Sequence, residues 1–276
     1  MPFDPPHSDL IALTLTDKIA HVELNRPDKR NALPDPFWTE FPALIDWLSE
    51  QPEVRCILLS GRGKMFTAGL DLNDAASLFQ QQGDPGRVRE KLRRKIAQMQ
   101  DCVTALERCR VPVIAAVHDG CLGAGVDLAS ACCVRLATRD AYFTVQEINI
   151  GIVADVGTLQ RLPALLPLGL VRELAYTGRP FRAEEALAHG FVNAVLDDRE
   201  ALLAHAFDLA RQIAAKSPLA MAGTKRAITY ARDHGAADAL TQVADWNAGM
   251  LLGTDVMKAV QAVLRKQQAD FDDLLP

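Results

Sequence analysis

Three carboxylates lie in apolar stretches of the sequence, where an acidic side chain has the strongest need for a partner. Asp127 lies within the run Val-Asp-Leu-Ala, Glu147 closes a predicted strand that starts at Tyr142, and Asp155 lies in the apolar run that follows. A buried carboxylate is costly unless it is paired, hydrogen-bonded or shifted in pKa, and shifted carboxylates suit general acid–base chemistry. A local role also stays open: Asp127 as a cap or ion-pair partner, and Asp155 as the N-cap of a helix from Thr158.

Two glycine-containing turns are the second candidate feature. The first reads Lys-Met-Phe-Thr-Ala-Gly-Leu-Asp-Leu over residues 64–72, and the second reads Asp-Gly-Cys-Leu-Gly-Ala-Gly-Val-Asp over residues 119–127. Small residues let backbone approach a ligand closely, and N–H groups from two turns can bind one carbonyl oxygen as an oxyanion hole. Each turn alone is equally typical of an ordinary tight turn. The second turn lacks the G-x-G-x-x-G spacing of a dinucleotide site.

Other classes of site find little support in the sequence. It contains no G-x-S-x-G, H-E-x-x-H or P-loop motif, and its six cysteines include no C-x-x-C pair. Buried free thiols are therefore expected, with no metal site. A net charge of −5 disfavours nucleic-acid binding, and no apolar run is long enough for a membrane span. Neither end resembles a targeting signal, so a soluble cytoplasmic protein is expected.

The elements that must position these residues follow from hydrophobic periodicity. The first two thirds of the chain alternate between strand and helix patterns, which predicts an α/β core. Strands are predicted at 11–15 and 19–24 (a hairpin), 54–59, 111–117, 134–137 and 142–145, and helices at 36–49, 89–110 and 124–132. Beyond residue 158 the pattern is helical apart from one strand at 192–196, with helices at 201–216, at 218–233 and beyond 236.

Taken together and in this order, the two turns and the acidic segment resemble the enoyl-CoA hydratase/isomerase (crotonase) family. The resemblance is carried by the segments 66–72, 123–132 and 142–151, with further matches at 25–33 and 183–192. It implies a spiral of ββα units over residues 1–200 and a helical C-terminal trimerisation region over residues 201–276. It also implies acyl-CoA thioester substrates, a homotrimer or a hexamer built from two trimers, and no cofactor beyond the CoA of the substrate.

The resemblance also assigns roles to residues. It implies an oxyanion hole formed by the backbone N–H groups of Leu70 and Ala124. Ala124 stands where the family commonly has glycine, and a backbone donor survives that change. Further residues of the two turns are expected to contact the substrate: Ala68, Gly69, Asp71 and Gly123.

The carboxylates narrow the branch of the family. Hydratases of the family typically have glutamate at the positions of both Asp127 and Glu147, and a small residue where Asp155 stands. The set found here, with Ala-Asp-Val-Gly-Thr-Leu-Gln-Arg-Leu-Pro at 154–163, is similar to the Δ3,5-Δ2,4-dienoyl-CoA isomerases. That similarity implies a shift of double bonds from 3,5-dienoyl-CoA to 2,4-dienoyl-CoA in fatty acid β-oxidation.

In that reaction Glu147 is expected to remove a proton at C2, Asp155 to deliver one at C6, and Asp127 to tune Glu147. The alternatives are an enoyl-CoA hydratase or another acyl-CoA reaction of the family. Outside enzymes, a non-catalytic CoA-thioester binder or an RNA-binding member of the family remains open.

Overall fold

The computed structural model describes residues 4–74 and 83–275. Its larger sheet contains, in chain order, β1 (Ile11–Thr16), β2 (Ile19–Leu24), β3 (Cys56–Gly61), β4 (Val113–Val117), β6 (Val134–Thr138) and β9 (Ala194–Leu196). The strands lie side by side in the same order. β1 and β2 are antiparallel, which confirms the predicted hairpin, and the other neighbouring strands pair in parallel. The α/β core with crossover connections is therefore confirmed.

A smaller sheet holds three short strands: β5 (Gly120–Leu122), β7 (Tyr142–Thr144) and β8 (Phe181–Arg182). β4 continues almost directly into β5, and β6 into β7, and helical structure follows in both cases. The chain thus repeats a unit of one long strand, one short strand and a helix. Because β5 and β7 pair in parallel, the segments that follow them are brought to the same edge of the small sheet.

The helices agree with the sequence pattern to within a few residues. In chain order they are α1 (Phe37–Glu50), α2 (Pro85–Arg108), α3 (Ala124–Ala131), α4 (Thr158–Leu165), α5 (Leu168–Thr177), α6 (Ala183–Ala188), α7 (Arg199–Ala214), α8 (Pro218–Asp233), α9 (Ala236–Met250) and α10 (Thr254–Arg265). α2 begins four residues before its predicted start at 89, since the Asp84 side chain accepts a hydrogen bond from the Arg87 N–H and caps the helix.

The sheet is covered on both faces. One face packs on α1, α2 and α3 in the main core, whose largest fully buried side chains include Trp38, Phe41 and Phe66. The opposite face packs on α7 through Leu202 and Ala206. Burial of both faces explains why β3 and β4 are continuous apolar runs without alternation. The division at residue 200 between a spiral core and a helical C-terminal region stays a prediction. The helix that starts at this point, α7, packs on the sheet.

The helices from α8 onward lie outside this core. Lys225 of α8 ties them to it, because its ammonium donates to the carbonyl oxygens of Leu106 and Val111 at 2.7 and 2.9 Å. α9 and α10 contain no fully buried residue, and several of their large apolar side chains are exposed.

Within residues 4–74 and 83–275, no helix is long and apolar enough to cross a membrane, and no cluster of His, Cys, Asp or Glu side chains is arranged to hold a metal ion. The cysteines are all free. Five of them are buried, as predicted, but Cys133 is exposed because it stands at the edge of the core where β6 begins.

Candidate active site

The first glycine turn is held in a fixed conformation by its own backbone and by Thr67. The Thr67 hydroxyl donates to the Asn31 carbonyl at 2.6 Å and accepts from the Gly69 N–H at 3.0 Å. The Gly69 carbonyl accepts from the Leu33 N–H at 2.8 Å. Gly69 has φ of 83°, a conformation that residues with a Cβ rarely adopt. Leu33 forms backbone hydrogen bonds with the residues on either side of Leu70, so the N–H of Leu70 itself points away from Leu33.

Asn31 anchors the loop that leads into this turn. Its amide nitrogen donates to the carbonyl oxygens of Arg62, Met65 and Phe66 at 2.8, 2.9 and 3.0 Å, and its amide oxygen accepts from the Arg26 N–H at 2.9 Å. The side chain is 1% exposed. Asn31 lies in the matching segment 25–33, but the three carbonyl oxygens that it binds are more than 30 residues away, so local sequence gives no sign of this role.

The second turn lies against the first. Thr67 and Cys121 form a parallel bridge in which the Thr67 N–H donates to Gly120 and the Leu122 N–H donates to Thr67, both at 3.1 Å. A Cβ placed on Gly69 would stand 2.5 Å from the Leu122 carbonyl oxygen and 3.4 Å from the Ala124 nitrogen. The backbones of the two turns are therefore in direct contact. We call residues 67–71 and 121–124 the oxyanion turns.

Two backbone donors of the oxyanion turns are unused. None of the described residues accepts a hydrogen bond from the N–H of Leu70 or of Ala124. Ala124 is the first residue of α3, where an N–H has no partner inside the helix and the helix dipole favours negative charge. Two unused N–H groups on turns in direct contact are what an oxyanion hole requires. That Leu70 and Ala124 form one stays a prediction.

The remaining predicted contact residues of the first turn have protein partners. The Ala68 N–H donates to the Arg30 carbonyl at 2.9 Å. The Asp71 carboxylate forms an ion pair with Arg26 at 3.0 Å and accepts two hydrogen bonds from Asn73 at 3.1 Å. Burial alone would raise the pKa of Asp71, but these hydrogen bonds hold it below its usual value. Its observed contacts fix the end of the turn, and a contact with substrate stays a prediction.

Asp127 is completely buried on α3. Its Oδ1 accepts two hydrogen bonds from Thr158, from the N–H at 2.5 Å and from the hydroxyl at 2.7 Å, while its Oδ2 has no partner within the described part of the chain. Burial raises the pKa of Asp127 to about 6, although the Thr158 hydrogen bonds and the charge of Arg161 oppose that rise.

Asp127 therefore caps α4 from a distant segment. The alternative in which Asp155 is the N-cap of this helix is not observed, since Gly157 occupies the N-cap position and the Thr158 N–H is bound to Asp127.

Glu147 lies in a 3₁₀ turn, Gln146–Ile150, and not at the end of a strand, because β7 ends at Thr144. A Cβ placed on Gly123 would stand 3.2 Å from Glu147 Oε1, so this carboxylate lies against the second oxyanion turn. The Oε2 atom is buried and accepts from none of the residues in 4–74 and 83–275. Burial, then the charges of Asp127 and Asp155, raises the pKa of Glu147 to about 7.

Asp155 is half-buried, and burial raises its pKa. Its backbone is fixed by Gln100 of α2, whose side-chain amide donates to the Asp155 carbonyl at 2.6 Å. The charge of Asp155 raises the pKa of both Asp127 and Glu147, so the three predicted carboxylates lie within electrostatic reach of one another. We call these three residues the carboxylate cluster.

Comparisons with known proteins bear on this arrangement. The family model described as enoyl-CoA hydratase/isomerase matches residues 14–274. The human mitochondrial Δ3,5-Δ2,4-dienoyl-CoA isomerase is 45% identical over 269 residues, which cover 96% of this chain and 82% of the human protein. The chain belongs to the enoyl-CoA hydratase/isomerase family.

Further members of the family agree in sequence and in fold. The peroxisomal Δ3,5-Δ2,4-dienoyl-CoA isomerase of Arabidopsis thaliana is 41% identical over 96% of this chain and 97% of its own length. The crystal structure of a putative enoyl-CoA hydratase from Streptomyces coelicolor A3(2) superposes with a TM-score of 0.90 at 29% identity, over 99% of this chain and 96% of that one. The predicted crotonase fold is confirmed, and the isomerase relatives support an isomerase enzyme acting in acyl-CoA metabolism.

The comparisons correct the expected cellular location. The human relative is named mitochondrial and the Arabidopsis relative peroxisomal, so the prediction of a cytoplasmic protein is wrong. That prediction rested on free thiols and on the residues at the two ends of the chain. Free thiols indicate a reducing environment but do not distinguish one such compartment from another.

Proposed function

We propose that this protein converts 3,5-dienoyl-CoA thioesters to conjugated 2,4-dienoyl-CoA thioesters in fatty acid β-oxidation, by moving a proton from C2 to C6. The observation that carries the proposal is the carboxylate cluster. It places a third acid, Asp155, beside the Asp127–Glu147 pair, with burial raising the pKa of all three. The identity with dienoyl-CoA isomerases over nearly the whole chain supports the same reaction.

The first step breaks the C2–H bond. Glu147, ionised, takes the proton, and the electron pair spreads through the conjugated system to the thioester oxygen. The N–H groups of Leu70 and Ala124 stabilise the charge that develops there, and one such donor is typically worth ~10²–10³ in rate. Because the pKa of Glu147 is raised to about 7, the base is stronger than an ordinary carboxylate but still ionises near neutral pH.

The second step forms the C6–H bond. Asp155, protonated, gives its proton to C6, and the electron pair returns from the oxygen so that the double bonds end at C2 and C4. Proton transfer at two carbons far apart on one acyl chain requires two separated acids. A hydratase acts at neighbouring carbons and has no such requirement. Proton exchange with solvent then returns Glu147 to its ionised form and Asp155 to its protonated form, so the cycle closes without an oxidant or a reductant, and CoA belongs to the substrate.

The test uses 3,5-octadienoyl-CoA and crotonyl-CoA side by side, with appearance of the conjugated 2,4-dienoyl chromophore and loss of the enoyl chromophore as the two readouts. We expect rapid conversion of the dienoyl substrate and slow hydration of crotonyl-CoA. Fast hydration of crotonyl-CoA without dienoyl conversion would make the protein a hydratase. The hydratase alternative has the weaker support, since glutamate is absent at position 127.

We also propose that the protein assembles as a trimer, or as a hexamer of two trimers, through its C-terminal helices. Leu252, two residues beyond the end of α9, is 95% exposed, and Val263 and Leu264 of α10 are 76% and 78% exposed. Apolar side chains clustered at this level of exposure favour a protein interface. Sedimentation equilibrium should give three or six times the monomer mass. Replacement of Val263 and Leu264 by serine should release monomers.

A further inference from the structure

The contact between Thr158 and Asp127 joins two donors to one acceptor atom. Both donors of Thr158, the N–H and the hydroxyl, bind the same oxygen, Oδ1, at 2.5 and 2.7 Å. Both residues are fully buried. Oδ1 is therefore fully engaged as an acceptor, and hydrogen bonds of this kind favour the charged form of a carboxylate.

We propose that Thr158 is a positioning residue for the proton transfer, and that its hydroxyl holds Asp127 in the ionised form beside Glu147. The inference rests on the proposed function, because it assigns Thr158 to the same reaction. It goes beyond that function because Thr158 is fully buried and acts through Asp127. A threonine fits the position since its N–H starts α4, where it has no partner inside the helix, while its hydroxyl supplies the second donor.

The ionised state of Asp127 matters for Glu147. The charge of Asp127 raises the pKa of Glu147, second only to burial, and so makes Glu147 a stronger base toward the weakly acidic C2 proton. Burial raises the pKa of Asp127, and without the Thr158 hydroxyl one hydrogen bond fewer would oppose that rise. Asp127 would then take up a proton at higher pH, and a neutral Asp127 no longer strengthens Glu147.

The other titratable or charged groups around Asp127 come from each element packed against α3: Arg161 on α4, Glu107 on α2, Cys121 on β5, Glu147 on the 3₁₀ turn, and Asp155. Arg161 lowers the pKa of Asp127, but its guanidinium also forms an ion pair with Glu107 at 2.8 Å. Burial keeps the Cys121 thiol neutral. Replacement of the Thr158 hydroxyl alters none of these groups, so its effect can be measured separately.

The test compares the pH dependence of kcat/KM for 3,5-octadienoyl-CoA in wild-type protein, Thr158→Val and Thr158→Ser. Valine keeps the shape and the N–H but removes the hydroxyl, whereas serine keeps both donors. The active form has both Asp127 and Glu147 ionised, so the acidic limb follows the last proton to leave this pair. Loss of one hydrogen bond to the Asp127 carboxylate raises the pKa of that step, and we expect the limb to move to higher pH by about one unit in Thr158→Val. Thr158→Ser should keep the limb at the wild-type position.

A fall in rate at every pH without movement of the limb would overturn the proposal, because packing alone would then explain Thr158. The same result in Thr158→Ser and Thr158→Val would overturn it as well. If Thr158→Val fails to fold, Thr158→Cys serves in its place, since a thiol is a weak donor and should move the limb in the same direction by less.

A second readout does not depend on activity. Infrared titration of the substrate-free protein follows protonation of buried carboxyl groups, and Asp127→Asn identifies the signal of Asp127. We expect that signal to titrate at higher pH in Thr158→Val than in wild type. If wild-type protein does not isomerise the substrate but the signal shifts as expected, the proposed function fails while the Thr158–Asp127 coupling stands. An unshifted signal in an active enzyme rejects the coupling alone.

Discussion

The oxyanion turns and the carboxylate cluster lie against each other but differ in how far their polar side chains are hydrogen-bonded. In the loop that leads into the first turn, Asn31 donates to three carbonyl oxygens, and within that turn the Thr67 hydroxyl both donates and accepts a hydrogen bond. In the cluster, Asp127 Oδ2 and Glu147 Oε2 are buried and have no partner in the part of the chain that the structure describes.

The difference separates two physical requirements of one site. A donor that must meet an oxygen at a fixed point needs a rigid backbone, and the hydrogen bonds around the two unused donors supply that rigidity. A group that must gain and lose a proton needs a pKa near the working pH, and burial without a full set of donors raises a carboxylate toward it. The turns should therefore contribute stability, whereas the cluster should contribute rate at some cost in stability.

The largest effect is expected from Glu147→Gln. Loss of the base should lower kcat by ~10²–10⁴. The unfolded state has the ordinary, lower pKa, so burial of the ionised Glu147 costs stability as pH rises from about 4.5 to about 7. Glutamine removes that cost, and the free energy of unfolding at pH 8 should be unchanged or higher. Urea denaturation checks this, with Glu184→Gln on the surface of α6 as the control. A clear loss of stability in Glu147→Gln would contradict the idea that the carboxylate cluster contributes rate at a cost in stability.

A somewhat smaller loss of rate, ~10²–10³, is expected from Gly69→Ala. The new Cβ would meet the Leu122 carbonyl oxygen at 2.5 Å, so the two oxyanion turns must separate and the two donors lose their common target. Gly190→Ala is the matched control, since Gly190 has a similar φ of 76° but no atom within 4 Å of the added Cβ. Steady-state kinetics should show a fall in kcat for Gly69→Ala only. Equal losses in both variants would point to backbone strain alone.

The smallest effect on rate, but a clear loss of stability, is expected from Asn31→Ala. Three carbonyl oxygens lose a donor, those of Met65 and Phe66 in buried contacts, and a buried group left unsatisfied costs about 1–3 kcal/mol. Asn31→Gly is the companion variant, because glycine removes the strain that alanine adds at φ of 52°. Denaturant midpoints should fall in both. Stability equal to wild type in Asn31→Gly would mean that hydrogen bonding does not hold the oxyanion turns.

The parts of this molecule that follow from local pattern were predictable. The hairpin at β1 and β2 alternates with period two, and β3 and β4 are continuous apolar runs, so their positions could be read within a few residues. The carboxylates and both turns could be named because residue type and flanking glycines mark them. Family resemblance supplied their roles.

The pairing of distant groups could not be predicted in the same way. Asp127 binds Thr158 across 31 residues, and that contact displaced Asp155 from its alternative role as a helix cap. Asn31 binds carbonyl oxygens 31 to 35 residues away. Such contacts depend on how strands cross over in the fold, and neither residue type nor spacing along the chain encodes the partner.

The central claim is that Glu147 removes a proton at C2 and Asp155 delivers one at C6. Asp155→Asn tests this claim most directly. The variant is incubated with 3,5-octadienoyl-CoA in deuterated water, and NMR follows exchange at C2 and the appearance of the 2,4-dienoyl product. The account predicts that exchange at C2 continues, because Glu147 is intact, while product formation falls by ~10²–10⁴. Product formed at the wild-type rate, or loss of C2 exchange together with product, would contradict it.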